Sequence, residues 1–584
     1  MTAHDAADQP GMDAVRRRLA VARGDEPADL VLKGGRVLSV FTGEVFDADV
    51  AIRGEHIAGL GSYHARRETD VRGQILVPGL LDAHMHLEST KLMVDQFARA
   101  VLPHGTTTVF IDPHEVANVF GLRGVRALVE SASVVPLDYY VMVPSCVPAS
   151  RFESSGATVT AAEIGGFLRE RADVIGLAEV MDFPGVVAGD PEVLAKIGAA
   201  RAAGGHLDGH APGLSGLALN AYLASGIGSD HECTDLAEAL EKRRLGMWIM
   251  IREGSAARNL EALLPLVLEH GTLNTSLCTD DREPDQLLRE GHMDDVVRKA
   301  IRLGCAPADA ITMATLNTAR WHRRTGLGAV APGYLADIVA VPDLAEVRPA
   351  MVWKRGRLAA RDTETVSIPR AAAPEWMHDS VRIPVLTSGD FQVAANGRVR
   401  VIGVDPGSLT TRALTAEPGR RGGDAVADPE HDLAKAAVIE RHRGTGRIGL
   451  GFVSGFGLRR GALASTHAHD AHNLGVIGMN DADMALAANR LREIGGGQVA
   501  VLNGRVVAEL PCPVAGLLSE LPFEEVAAGS SRLDEAAHAD LGVTYPAPFM
   551  AMSFLALTVL PELRITDHGL VDVTRFERVP LSVG

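Results

Sequence analysis

Six histidines and carboxylates stand where short apolar runs of this sequence end. The first two form a His-X-His pair, and side chains two apart in a strand point to the same face, so both imidazoles can reach one ion. Each of the six alone has an ordinary explanation as a polar strand end. Together they predict a metal site, because imidazole and carboxylate are typical ligands of divalent ions. In chain order they are His84, His86, Glu179, His210, His231 and Asp280.

The number of donors bears on how many ions are bound. Six nitrogen and oxygen ligands are too many for one tetrahedral zinc ion and suit two divalent ions joined by one carboxylate. Glu179 is the expected catalytic bridge, since its carboxylate has two oxygens. Mn²⁺, Fe²⁺ and Zn²⁺ all accept these donors. We expect Asp280 to carry a proton from an activated water to a leaving group, the alternative being a cap of the helix near Pro284.

More polar residues follow the same runs. The second run closes with Asp-Pro-His-Glu at 112–115, and Glu88 lies just after the His-X-His pair. We predict that His114 is a catalytic proton carrier and that Glu88 and Glu115 bind the substrate. The alternative is that these acids merely lie near a helix N-terminus, where the helix dipole stabilises negative charge.

Two other polar groups have more than one interpretation. Arg252 and Glu253 end the seventh run, and we interpret them as a simple ion pair. A histidine-rich segment in the last third of the chain could hold an extra ion, reach into the site from a neighbouring domain or form a hydrogen-bonded turn. Its candidate residues are His467, His469, Asp470 and His472.

These residues belong to a region in which apolar runs alternate with helical segments. Eight such alternations over about 250 residues predict an α/β fold with a (β/α)8 barrel, whose strand ends share one mouth. A doubly wound open sheet is the runner-up, but no glycine-rich phosphate loop supports it. The eight expected strands are 76–84, 106–113, 137–145, 173–180, 204–211, 226–232, 246–253 and 274–281.

The flanking segments differ from the barrel region in their sequence pattern. Short β-like runs with glycine turns precede it and return after it, which predicts a small β-sandwich domain with the barrel inserted into it. After a linker at 362–380 the chain mixes strands and helices, as in an α+β domain. The predicted units are an N-terminal extension at 1–29, the small β domain at 30–77 plus 329–361, the catalytic barrel at 78–328 and a C-terminal domain at 381–584.

Composition narrows the class of partner. The chain has 584 residues, with 57 basic and 74 acidic side chains and a net charge of −17. This balance argues against nucleic acid, and the absence of a long apolar run argues against a membrane span. The N-terminus lacks the apolar core of a secretion signal, and the five cysteines are scattered, so we expect a cytoplasmic protein with a small-molecule substrate.

Long motifs around these residues resemble the bacterial adenine deaminase family of the amidohydrolase superfamily. They include PGLLDAHMHLES, LPHGTTTVFIDPHEVANVFG, DGHAPGLSG, CTDDREPDQLLREGH and HDAHNLGVIGMNDADM. The resemblance implies hydrolysis of adenine to hypoxanthine and ammonia in purine salvage, by a homodimer with a binuclear centre, usually of manganese or iron. It implies the same six ligands. The chain departs from the family pattern at LESTKLM, where Lys91 either alters substrate fit or is a surface lysine.

Two other functions remain open at this point. The same ligands suit another amidohydrolase reaction, such as hydrolysis of a cyclic amide or a related aminopurine. A non-catalytic binding protein with the same fold is the second alternative, but it would have no need of six strand-end ligands. Ammonia release from adenine distinguishes these possibilities.

Overall fold

The computed structural model describes residues 11–394 and 397–583. At its centre are eight parallel strands, in the order and at the places that the apolar runs predict. Parallel barrel strands are covered on both faces, which explains runs without polar alternation. The strands are β1 (Leu80–Met85), β2 (Thr106–Ile111), β3 (Asp138–Val143), β4 (Val174–Val180), β5 (His206–Gly209), β6 (Ser229–Asp230), β7 (Trp248–Arg252) and β8 (Thr275–Cys278).

The strands form a ring from two hydrogen-bonded groups. Strands β1 to β5 pair in sequence order, as do β6 to β8. A parallel bridge between Met85 and Asp280 joins β1 to the end of β8. The amide of Gly228 donates to the carbonyl of Leu207 at 3.3 Å, where β5 meets β6. The prediction of an α/β fold with a (β/α)8 barrel is therefore confirmed.

Helices fill the intervals between the strands. The helix Ala161–Glu170 shows why: Thr160 and Glu163 form a capping box at its start, and Ile164, Phe167 and Leu168 bury one face at helical spacing. The helices of this region are Val94–Val101, His114–Ala132, Ala161–Glu170, Phe183–Ala188, Pro191–Ala202, Gly216–Ala224, Leu236–Arg244, Leu260–His270, Pro284–Glu290, Met293–Arg302, Pro307–Thr312 and Thr318–Trp321.

Two small sheets flank the barrel, and one of them is built from strands on both sides of it in the sequence. Strand Ile75–Pro78, before the barrel, pairs antiparallel with Ile338–Val341, after it, so the barrel is an insertion in this unit. Helix Met12–Ala22 packs on one sheet. The remaining strands are Leu30–Lys33, Arg36–Leu38, Val45–Asp47, Asp49–Arg53, His56–Gly61, Glu68–Asp70, Met351–Lys354, Arg357–Arg361 and Glu364–Thr365.

The C-terminal region is an α+β unit around an eight-stranded sheet. Its apolar core is continuous with that of the barrel, since Leu92 and Met93 belong to the same buried cluster as Leu517 and Phe523. The sheet comprises Val399–Gly403, Arg412–Ala416, Ala434–Ile439, Ile448–Ser454, Ala462–Ser465, Leu474–Gly478, Gly497–Leu502 and Arg505–Pro511. Two small sheets contain Gly419–Arg421, Asp424–Val426, Leu563–Thr566, Gly569–Asp572 and Glu577–Arg578, and the helices are Asp481–Ile494, Phe523–Glu535 and Pro548–Phe554.

Among the described residues, 11–394 and 397–583, no helix combines the length and apolar character that a bilayer crossing requires.

Candidate metal centre

The six predicted ligands meet in one buried place. They lie at the carboxyl ends of five barrel strands, and none of the six residues is more than 7% exposed. The imidazole rings of His84 and His231 stack with centroids 4.1 Å apart, although 147 positions separate these residues in the sequence. Convergence of strand ends at one mouth is what the barrel architecture provides.

Glu179 lies at the centre of the group, at the end of β4. Its Oε1 is 3.6 Å from His86 Nε2, while its Oε2 is 2.7 Å from His210 Nδ1 and 3.1 Å from His231 Nε2. The two oxygens of this carboxylate therefore face different histidines. This is the arrangement expected of a carboxylate shared between two ions.

The donor atoms fit a divalent metal ion. The Nε2 atoms of His84 and His210 are buried without a hydrogen-bond partner, which is unusual for buried polar groups and typical of nitrogens that bind an ion. Ligand atoms of His84, His86 and Asp280 lie within 4.8 Å of one another, as do those of His84, Glu179 and His231. Imidazole and carboxylate together suit Mn²⁺, Fe²⁺ and Zn²⁺.

Protons balance the charge of this group when no metal is bound. Burial alone would raise the pKa of Asp280, but the positive charge of Arg252 and a hydrogen bond with His86 hold it well below its ordinary value. Burial opposes protonation of His231, yet its contact with Glu179 raises the pKa of this imidazole to about 9. The site is therefore built to hold positive charge among ionised carboxylates.

Arg252 contacts the ligand group, a position that the sequence interpretation missed. Its Nη1 donates to Asp280 Oδ2 at 2.6 Å, and its Nη2 donates to Glu232 Oε2 at 2.9 Å. Glu253 points elsewhere and pairs with Lys299, so the expected ion pair between Arg252 and Glu253 is wrong. The signal was available, because Arg252 ends β7 and shares the barrel mouth with the ligands.

His114 lies against the ligand group, as its predicted catalytic role requires. Its Nδ1 is 3.3 Å from Asp112 Oδ2 and 3.6 Å from Glu179 Oε1. Its Nε2 is 3.5 Å from Asp470 Oδ1, which comes from the C-terminal domain. His114 thus connects a barrel carboxylate to a carboxylate of another domain.

Glu88 and Glu115 are fully buried next to this group. Oε1 of Glu88 accepts a hydrogen bond from the amide of Val116 at 3.0 Å, and Oε1 of Glu115 accepts one from the Ser89 hydroxyl at 3.1 Å. The second oxygen of each carboxylate has no hydrogen-bond partner. Their predicted role in substrate binding stays a prediction.

Lys91 is not a surface residue. It is 2% exposed, its backbone is left-handed with φ 59°, and its ammonium pairs with Glu283. The amide of Ser519 donates to the carbonyl of Lys91 at 2.8 Å. Lys91 therefore lies where the barrel meets the C-terminal domain, and the surface interpretation is wrong.

The histidine-rich segment divides between two roles. His467 and His472 make hydrogen bonds within their own domain, since His467 Nε2 lies 2.9 Å from the carbonyl of Leu517 and His472 Nδ1 accepts from the amide of Ala468 at 3.1 Å. The Nε2 atom of His472 also lies 3.4 Å from Oε2 of the barrel residue Glu115. His469 and Asp470 instead line the cavity that contains the ligand group. The segment is both a hydrogen-bonded turn and a contribution to the barrel mouth.

Two adjoining cavities lead to the ligand group. The inner one has a volume of about 40 Å³. Five of the six predicted ligands line it, together with apolar side chains of the C-terminal domain. The outer one has a volume of about 690 Å³. Residues on the walls of both are Glu232, Arg252, Ala256, Ala257, Leu409, Phe554 and Leu560.

A barrel with a His-X-His pair and further histidines and carboxylates at its strand ends defines the class of amidohydrolase-type, metal-binding hydrolases. The family model described as amidohydrolase family matches residues 75–359. The model described as adenine deaminase C-terminal domain matches residues 408–577. These two matches cover the barrel, the flanking strands nearest to it in the sequence and most of the C-terminal unit.

Curated relatives match along nearly the whole chain. The adenine deaminase of Desulfatibacillum aliphaticivorans is 46% identical over 564 residues, which are 96% of this chain and 99% of that protein. The adenine deaminase of Cereibacter sphaeroides is 48% identical over 566 residues, 96% of this chain and 98% of that protein. Among solved structures, a D-hydantoinase from Bacillus sp. AR9 is 16% identical with a TM-score of 0.46, over 58% of this chain and 97% of that one. This chain belongs to the adenine deaminase family.

Proposed function

We propose that this protein hydrolyses adenine to hypoxanthine and ammonia with two divalent metal ions, Mn²⁺ by preference over Fe²⁺ or Zn²⁺. The observation that carries the proposal is Glu179, whose two carboxylate oxygens face separate histidines at the mouth of the barrel. Membership of the adenine deaminase family supports adenine as the substrate. The proposed ligands are His84, His86, Glu179, His210, His231 and Asp280.

Different residues of the protein have different roles in the proposed reaction. The ions, when bound, lower the pKa of water and polarise the substrate. Asp280 accepts the proton that water loses and is held in place for this by Arg252. His114 lies beside Glu179 and supports proton movement to the amino nitrogen, which leaves as ammonia. Water supplies the oxygen that replaces the amine at C6, so atoms and charge balance.

The wall of the inner cavity combines ligand residues of the barrel with apolar side chains. Phe554, Leu557 and Leu560 form an apolar part of this wall on the C-terminal side. Glu88 and Glu115 lie buried next to the ligand group, and we propose that they contribute to binding of the substrate.

The proposal also covers the assembly in which the protein acts, its location and its partners. We propose a cytoplasmic homodimer that acts in purine salvage on adenine and water, without nucleic acid or membrane as partner. The net charge of −17 supports a small-molecule substrate over nucleic acid. Sedimentation of the purified protein tests the dimer.

Ammonia release from adenine tests the reaction. Protein expressed with added Mn²⁺ should release ammonia and form hypoxanthine, and the same protein after chelation should not. A cyclic amide serves as the comparison substrate. Cleavage of the cyclic amide with no ammonia from adenine would overturn the proposal and favour the other amidohydrolase reaction.

A further inference from the structure

Asp470 reaches the barrel mouth on a loop of the C-terminal domain. The loop joins strands Ala462–Ser465 and Leu474–Gly478. It is fixed on both sides of Asp470, because the amide of His469 donates to the carbonyl of Ser553 at 2.8 Å and Asn473 Nδ2 donates to the carbonyl of Ser154 at 2.8 Å. Ser154 belongs to the barrel region, so the loop is held against the barrel.

The carboxylate of Asp470 is buried with incomplete partners. Its Oδ1 is 3.5 Å from His114 Nε2 and 3.8 Å from His469 Nδ1, both longer than a good hydrogen bond. Its Oδ2 is buried without any partner, and the residue is only 2% exposed. Buried carboxylates are as a rule paired or hydrogen-bonded, so a donor is missing from this arrangement.

Another buried aspartate of the same domain shows the contrast. Asp483 accepts hydrogen bonds from the amide of Gly504 at 2.7 Å, from the amide of Asn503 at 3.1 Å and from Asn480 Nδ2 at 2.8 Å. Both of its oxygens are satisfied by the fold alone. The fold leaves Asp470 without such donors.

The missing donor belongs on the cavity side. Asp470 lines the inner cavity together with His86, Glu179 and Asp280, and Phe554 forms part of the same wall. A purine base that brings its amino carbon to the ligand group still carries one imidazole N–H, which requires an acceptor. We propose that Asp470 is a substrate-binding residue that accepts the hydrogen bond of this N–H.

This inference rests on the proposed function and makes it more specific. The barrel supplies the chemistry, and the C-terminal domain supplies the acceptor that recognises the imidazole edge of the base. Removing a hydrogen bond to a charged group weakens binding by about 10- to 100-fold. The loss should appear in the affinity for the base, whether or not the base reacts.

Equilibrium binding of unsubstituted purine tests the assignment. Purine has the imidazole N–H but no amino group to lose, so binding is measured apart from turnover. Metal-loaded Asp470→Ala should bind purine about 10- to 100-fold more weakly than wild type, and Asp470→Asn, which keeps a neutral acceptor, should lie between them. The matched control Asp483→Asn should bind purine as wild type does.

Methylated bases add a second readout. Wild type should turn over both 7-methyladenine and 9-methyladenine less well than adenine, because methylation of either ring nitrogen removes the imidazole N–H that faces Asp470. In Asp470→Ala the ratio of kcat/KM between adenine and each methyl analogue should fall toward one. Elemental analysis confirms equal metal content in each variant.

Three results would overturn the inference. The first is wild-type affinity of Asp470→Ala for purine, combined with an equal fall in kcat for every substrate, which would make Asp470 only a support for His114. The second is an unchanged preference for adenine over the methyl analogues in Asp470→Ala. The third is a wild-type protein that does not bind purine. Wild type that binds purine but releases no ammonia from adenine would instead overturn the proposed function.

Discussion

Arg252 and Asp280 form a buried ion pair in which Nη1 of the arginine lies 2.6 Å from Oδ2 of the aspartate. The other oxygen of Asp280 faces His86 Nε2 at 3.0 Å. Asp280 is thus held on one side by a fixed positive charge and on the other by a member of the ligand group. The guanidinium orients the carboxylate and keeps it ionised, which a proton acceptor needs.

Replacement of Arg252 should therefore impair turnover more than folding. Without the guanidinium the pKa of Asp280 rises, because the positive charge beside it lowers that pKa. We expect Arg252→Gln to lower kcat by about 10- to 100-fold, in line with the loss of a hydrogen bond to a charged group, and to shift the acidic limb of the kcat profile to higher pH. Full turnover with an unmoved acidic limb would contradict this role. The exposed Arg289 provides the control as Arg289→Gln.

Glu179 should be indispensable for metal content. Its oxygens face His86 on one side and His210 and His231 on the other. We expect Glu179→Gln to lower metal affinity by more than about 100-fold, the upper range for residues that only support a ligand. Elemental analysis and ammonia release measure the two consequences. Glu261→Gln, at an exposed carboxylate, is the control. Two retained metal ions with normal turnover would show that Glu179 does not hold the centre.

Metal uptake should release protons. In the metal-free protein the pKa of His231 is about 9, since the contact with Glu179 outweighs the effect of burial. A protonated imidazole cannot bind a metal ion, so affinity should increase as pH rises toward 9. Titration calorimetry in buffers with different ionisation enthalpies counts the protons. An affinity that is constant between pH 6 and 9 would disagree with this expectation.

Acid should destabilise the fold through buried neutral histidines away from the ligands. Burial lowers the pKa of His206, His292 and His442 to about 3. The unfolded chain binds protons at these residues below about pH 6.5, while the folded chain does not until about pH 3. The free energy of unfolding should therefore be intact above pH 6.5 and fall as the pH drops toward 3.

Each of these histidines contributes up to about 1.4 kcal/mol per pH unit to that slope. Thermal unfolding midpoints measured from pH 7 to pH 4 test the sign. The variant His442→Gln should show a shallower dependence than wild type, while His270→Gln, at an exposed position, should leave the slope unchanged. Midpoints that rise on acidification would refute the expected direction.

The barrel and its ligands were predictable because both follow local rules. Strands covered on both faces read as apolar runs, and the ligands stand directly at their ends. β6 was harder, since only Ser229 and Asp230 form ladder pairs where 226–232 were expected. Gly226, which adopts φ 96°, interrupts the extended backbone just before this strand.

Contributions from distant segments could not be predicted from spacing. A lysine is ordinarily exposed, and Lys91 is buried because Glu283, 192 positions later, neutralises it. The sequence identified Asp470 as a candidate, but nothing local distinguishes it from His467 or His472. Those two histidines make hydrogen bonds within the C-terminal domain. Only the packing of two domains separates these roles.

The hydrogen bond from Asn473 to Ser154 couples two segments that lie far apart in the sequence. A substitution that shifts residues near Ser154 also moves the loop that carries Asp470, although the two segments are encoded far apart. Exchange of C-terminal regions between relatives should therefore succeed only when both sides of this contact come from the same parent. A barrel without its C-terminal domain would lack the apolar wall and the Asp470 carboxylate at its mouth.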